Sequence, residues 1–156
     1  MRVLSFEVTT RGVSYVLTEG ARRVVDWGIR RSTRDLDLER LILEARPDCL
    51  VLEDPMRSKK GARATRGISK AARVARDLEV PVVAVEWMPR KRFALTDELV
   101  ATYPELRRVR PKNRASWHAD PPNLDVFVAL GRALHVTEIF ERTNCRPGKF
   151  GPVPND

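Results

Sequence analysis

Cysteine is nearly missing from this sequence. Cys49 and Cys145 are the only two in 156 residues; they lie far apart and form no CxxC pair, so neither a disulfide framework nor a cysteine zinc site is expected. Long apolar runs are absent too, which excludes a helical membrane span. The N-terminal stretch Met1-Arg2-Val3-Leu4-Ser5-Phe6-Glu7 meets a charge too early for a signal-peptide layout. A cytoplasmic protein with no membrane association is the expectation. There is no internal repeat, no low-complexity segment and no Gly-rich phosphate-binding turn of the kind a nucleotide cofactor needs. Acidic residues are the minority: 21 Asp and Glu face 29 Lys and Arg, a net charge of +8, with a pI near 10.2. That balance favours a polyanionic partner, nucleic acid ahead of an anionic membrane surface.

What is present suits one globular domain, with 42% apolar residues and enough chain for its own core. Residues 2–9, 13–18 and 23–29 have strand patterning, and their short connections predict an antiparallel meander. A helix with Leu38, Leu41, Ile42 and Ala45 on one face follows, capped by Thr33 or Asp35. The unbroken apolarity of Cys49-Leu50-Val51-Leu52 predicts a strand buried on both faces, ending at Glu53. The spacing then predicts a helix over 67–78, a strand over 80–86, a short helix near 94–102 and a last helix from Pro121-Pro122 to about Arg142. The pattern implies an α/β domain over 1–142: a mixed five-stranded sheet, three antiparallel strands then βαβ units, with helices on both faces. Residues 143–156 read as an irregular tail.

Three acidic residues interrupt apolar elements: Glu7 in the first strand, Glu53 at the end of the fourth with Asp54 beside it, and Asp125 in the apolar helix segment Asn123–Leu130. Each has a plain alternative, such as solvent exposure at a strand end or, for Asp125, the first turn of a helix. Asp120 could be that helix's N-cap, with Pro121 at N1. Together they suggest one cluster. Clustered carboxylates repel and resist desolvation unless something positive compensates. Hard oxygen ligands suit one or two Mg²⁺ or Mn²⁺ ions, and such ions can activate a water against a phosphodiester.

With these residues in this order, the chain resembles the RuvC-type Holliday-junction resolvases of the RNase H-like nuclease superfamily. The likeness rests on Leu4-Ser5-Phe6-Glu7 with the turn and strand after it, on Leu50-Val51-Leu52-Glu53-Asp54, on the aromatic-x-Pro segment Glu86-Trp87-Met88-Pro89 with Arg90, Lys91 and Arg92, and on Leu124-Asp125-Val126-Phe127-Val128-Ala129-Leu130. It implies an RNase H-like fold, a metal-dependent endonuclease acting on branched DNA, and a homodimer. By this likeness Glu7, Glu53 and Asp125 would be catalytic and hold Mg²⁺ or Mn²⁺, with Asp120, Asp54 or His118 as further ligands. The chain departs from the family in carrying Glu7 where an Asp is usual, and in having a single Asp at the matching place of the last helix. A nucleic-acid-binding module of the same fold with impaired catalysis is therefore the alternative expectation. An actin-like ATPase ranks below both, for want of phosphate-binding glycine turns.

Eight basic residues and no acidic one fall between Arg57 and Arg76. Arg57, Lys59, Lys60, Arg63, Arg66 and Lys70 would rim the acidic cluster and grip phosphates; Gly61 and Gly67 suggest flexibility in the first half. Arg90, Lys91 and Arg92 form a second basic set, and Arg110, Lys112 and Arg114 a third, within a stretch (103–120) too polar for core. Trp117 suits either stacking on an unpaired base or a packing contact within or between chains. His135, deep in the last helix, reads as structural.

Overall fold

The computed structural model describes residues 1–87, 89, 91–112 and 120–149. Expectations for Arg90, Arg114, Trp117, His118 and residues 150–156 of the tail lie outside the described residues. The first strand β1 (Arg2–Thr9) is followed by β2 (Gly12–Glu19), β3 (Arg23–Arg30), α1 (Asp35–Ala45), β4 (Cys49–Glu53), α2 (Ala62–Asp77), β5 (Val82–Val85), α3 (Arg92–Thr102) and α4 (Asn123–Thr143), with a 3-10 helix at Pro104–Val109 and a short one at Pro147–Lys149. The sheet has five strands in the order β3-β2-β1-β4-β5. β1 pairs antiparallel with β2, and β2 with β3, while β1 to β4 and β4 to β5 are parallel. This is the mixed sheet expected from the element order.

The period of two along each strand sorts the core into two layers. Leu4, Phe6 and Val8 of β1, with Val13, Tyr15 and Leu17 of β2 and Leu50 and Leu52 of β4, pack against α1 and α2. Val3, Cys49, Val51, Val83 and Val85 turn to the other face and meet Ala133, Val136 and Phe140 of α4. Further along that face, Val16 and Val24 pack with α3, α4 and the Pro104–Val109 turn. Because α4 lies between the sheet and α3, every residue from Leu124 to Ala133 is buried, which explains a helix apolar nearly all round.

Several boundaries differ from the sequence pattern, each for a local reason. Helix α2 starts at Ala62, five residues before the expected start, and Gly67 sits inside it. A Cβ at Gly67 would come within 2.8 Å of Val8 Cγ1, so this glycine permits close helix–sheet contact and is not a source of flexibility. Strand β5 is shorter than expected and α3 starts two residues earlier. The 103–120 stretch was expected to be too polar for core, yet Tyr103, Leu106 and Pro111 are buried; the charged residues between them hid the anchors. Helix α4 has Pro122, not Asp120, at its N-cap. Helix α1 has Arg34 at its N-cap, with no side-chain cap bond.

Gly12 opens β2 with φ +137°, and a Cβ there would lie 2.0 Å from the carbonyl oxygen of Arg30. Gly12→Ala should therefore destabilise the protein by about 2–3 kcal/mol. Gly61→Ala, where nothing lies within 4 Å of the added carbon, should stay within ~0.5 kcal/mol of wild type. Urea unfolding of both variants checks this.

Candidate active site

The strand pattern that builds the core also brings the first two acids together. Parallel register pairs Val3 with Cys49 and Ser5 with Val51; two residues on, Glu7 and Glu53 fall side by side on the α4 face, at neighbouring-strand spacing of about 5 Å. Both are buried, Glu7 with 1% of its surface exposed and Glu53 with 6%. Little water reaches either carboxylate, so the two charges need partners from the protein.

Those partners are Lys60 and Arg132. Lys60, in the loop between β4 and α2, turns inward. Its Nζ donates to Glu7 Oε1 at 2.5 Å and to the Val8 carbonyl at 2.8 Å, and lies 2.8 Å from Glu53 Oε2. The last contact is ionic, without hydrogen-bond geometry. Arg132, fully buried in α4, donates through one terminal nitrogen to the Phe6 carbonyl and through the other to Glu7 Oε2, each at 2.8 Å. Both carboxylate oxygens of Glu7 are therefore engaged by cations of the same chain. Burial alone would push the Glu7 carboxyl up, but Arg132 and Lys60 outweigh it and hold it below the usual range.

Asp125 completes the acidic group from the first turn of α4, two helical turns before Arg132 and so on the same face. Its nearest cation is the half-exposed Arg11, 3.8 Å away, a weaker arrangement than the one round Glu7. Burial and then the Glu7 charge push its carboxyl up to about 6, against the opposing pull of Arg11, Arg92 and Lys60. Asp120 is not brought to the cluster: its carboxylate pairs with Arg92 at 3.3 Å, and its carbonyl accepts from Arg11. Asp54 accepts from the Met56 amide in a turn.

This arrangement does not fit a divalent cation. Among the described residues no group of three or more His, Cys, Asp or Glu side chains is disposed to hold a metal ion. The compensation expected of a metal is supplied by Lys60 and Arg132. The pattern had placed Lys60 among the phosphate-gripping residues because it falls in a basic run; its ammonium instead points into the protein. Arg132 was missed, although a charge in the middle of the apolar stretch Val126–Val136 was a visible signal for a buried partner.

The remaining basic residues divide by partner. Arg57 pairs with Glu86, Lys70 and Arg73 with Asp35, and Arg110 with Asp97. Lys59, Arg63 and Arg66 are exposed and make no ion pair among the described residues. Arg63, Arg66, Lys70 and Arg73 recur at helical spacing and form one stripe on α2. Lys59 and Arg57, with Lys60, Glu53, Asp54, Glu86 and Arg92, line a cleft of about 430 Å³. A second cleft, of about 440 Å³, holds Arg30, Arg31, Arg34 and Arg40 between the end of β3 and α1. The pairing of Arg30 with Val13 puts it at the same end of the sheet as Glu7. Trp87, from the aromatic-x-Pro segment, stacks on His135 with ring centroids 6.1 Å apart, which gives both a packing role.

No protein-family model and no curated protein matches the chain. Solved structures do. Thermus thermophilus RuvC in complex with a Holliday-junction substrate superposes with a TM-score of 0.59 at 12% identity, covering 94% of this chain and 99% of that one. A structure of Thermus thermophilus RuvC gives 0.58 at 12% identity with the same coverage. The chain has the RuvC fold. The likeness to RuvC covers 94% of the chain, and at this identity it speaks for architecture.

Two predictions follow from the charges. Arg132→Met leaves Glu7 half-compensated in the core and should cost about 3–5 kcal/mol, most of it recovered in the double variant Glu7→Leu/Arg132→Met; chemical denaturation of the three proteins checks it. The raised Asp125 carboxyl costs stability as pH rises from its unfolded value, 3.8, through about 6, whereas the depressed Glu7 carboxyl loses stabilising charge as pH falls below its unfolded value, 4.5. Asp125→Asn should therefore be more stable than wild type by roughly 1–3 kcal/mol near neutral pH, with the difference vanishing in acid.

Proposed function

We propose that the protein binds branched DNA through its basic surface and does not hydrolyse it. The observation that carries this reading is the division of its cations. Lys60 and Arg132 engage carboxylates that a metal-dependent nuclease would need free, while Lys59, Arg63 and Arg66 stand exposed without carboxylate partners among the described residues. Cations of the second kind suit phosphate contacts, which fix position on nucleic acid without reading bases. Branched DNA is the preferred ligand because the RuvC of matching fold was captured on a Holliday junction. A role in recombination or repair, and a homodimer presenting two basic surfaces, accompany this reading.

The second reading is a structure-selective endonuclease using Mg²⁺ or Mn²⁺. It is favoured by the meeting of Glu7, Glu53 and Asp125 at one end of the sheet.

A labelled four-way DNA junction and a linear duplex of the same length test both. Junction binding should be equally tight in Mg²⁺ and EDTA, with no cutting in Mg²⁺ or Mn²⁺. Metal-dependent cutting that disappears in Glu53→Gln would replace the first reading with the second. The triple variant Lys59→Ala/Arg63→Ala/Arg66→Ala should weaken binding about tenfold or more and lower the salt dependence by roughly two to three phosphate contacts.

A further inference from the structure

We infer that Lys60 is a built-in counter-ion that takes the place of a divalent metal between Glu7 and Glu53, and that removing its ammonium would turn this site into a metal site. The inference deepens the non-hydrolytic reading above and is tested without DNA.

Charge and geometry carry it together. Lys60 Nζ lies 2.5 Å from Glu7 Oε1 and 2.8 Å from Glu53 Oε2, so one cationic atom bridges two carboxylates from adjacent parallel strands. Bridging of this kind is what a hard cation does with carboxylate oxygens. The third contact, to the Val8 carbonyl, adds a neutral oxygen of the type such ions also accept. With Arg132 on the remaining oxygen of Glu7, the two carboxylates are balanced by two cations. A divalent ion entering this buried space would add uncompensated positive charge next to an ammonium in a low dielectric, which is strongly unfavourable.

The two cations are not equivalent. Arg132 is fully buried in the middle of α4, whereas the Lys60 side chain is 17% exposed and comes from the loop between β4 and α2. It lines the cleft shared with Glu53 and Asp54. Replacing Lys60 with an uncharged residue would leave Glu7 Oε1 and Glu53 with one cation too few, and Glu53 opens onto that cleft. Oxygen donors with excess negative charge and access to solvent are the conditions for capturing Mg²⁺ or Mn²⁺.

The test is Mn²⁺ binding by isothermal titration calorimetry, with thermal unfolding beside it. Wild type should show no saturable heat at millimolar Mn²⁺ and no rise in Tm. Lys60→Met should bind Mn²⁺ at least about tenfold more tightly than wild type and gain Tm with added metal, because a ligand specific to the folded state stabilises it. Lys60→Met/Glu53→Gln should lose that gain. Saturable Mn²⁺ binding by wild type that Glu53→Gln abolishes would overturn the inference, since Lys60 would then simply swing aside. Lys60→Met that folds yet gains no affinity would overturn it equally. If Lys60→Met proves too unstable to titrate, Lys60→Gln is the second variant, and the wild-type titration still decides. Junction cutting by wild type would instead count against the proposed function, so the two failures are separable.

Discussion

Burying the Glu7 carboxylate under α4 is the constraint on which the arrangement of the site depends. A charge on the central strand, with 1% of its surface exposed, is tolerable only if neighbouring elements supply opposite charge and hydrogen bonds. Here two do, from widely separated parts of the chain. Arg132 ties α4 to β1 through both the Glu7 side chain and the Phe6 carbonyl. Lys60 ties the loop after β4 to the same strand. The position of α4, the course of the loop leading into α2 and the pairing of β1 with β4 are thus coupled at one carboxylate, and the apolar layers on either side pack round that fixed point.

The coupling also sets what the protein can offer a partner. Cations used for internal compensation are unavailable for phosphates, and carboxylates so compensated are poor ligands for a metal. On the proposed reading, the surface that meets a partner is what lies just outside: the stripe on α2, Lys59 in the adjoining cleft, and the arginines between β3 and α1. Lys59 and the β3–α1 arginines share one end of the sheet with the acids because the strand directions of this mixed sheet deliver Glu7, Glu53 and Arg30 to the same end. A fold shared with RuvC is here combined with buried acids compensated by lysine and arginine of the same chain.

Much of the architecture was legible in the sequence. Short connections between three alternating strands specified the meander, and the unbroken apolar run before Glu53 specified a doubly covered strand. The parity of Glu7 and Glu53 allowed their meeting to be foreseen, because a period of two leaves little choice once the strands are neighbours. Lys60 was not legible in this way. Its sequence neighbours are basic and polar, and direction of a loop side chain is decided by tertiary charge, which a local pattern does not contain. Arg132 was nearer to hand, since an arginine within Leu130-Gly131-Arg132-Ala133 has no solvent to reach. The start of α2 was placed five residues late, in a segment where Gly61 and Gly67 suggested flexibility, although the missing Cβ of Gly67 is what lets the helix approach Val8.

The difference in setting between the two cations has a consequence for how such a site can change over generations. Arg132 and Glu7 are locked together, because altering either alone strands a charge or a fork of donors in the core, so an exchange that keeps the fold stable has to change both. Lys60 stands on a loop at the rim, where a single substitution is absorbed more easily. The buried pair thus behaves as a ratchet and the loop lysine as a latch.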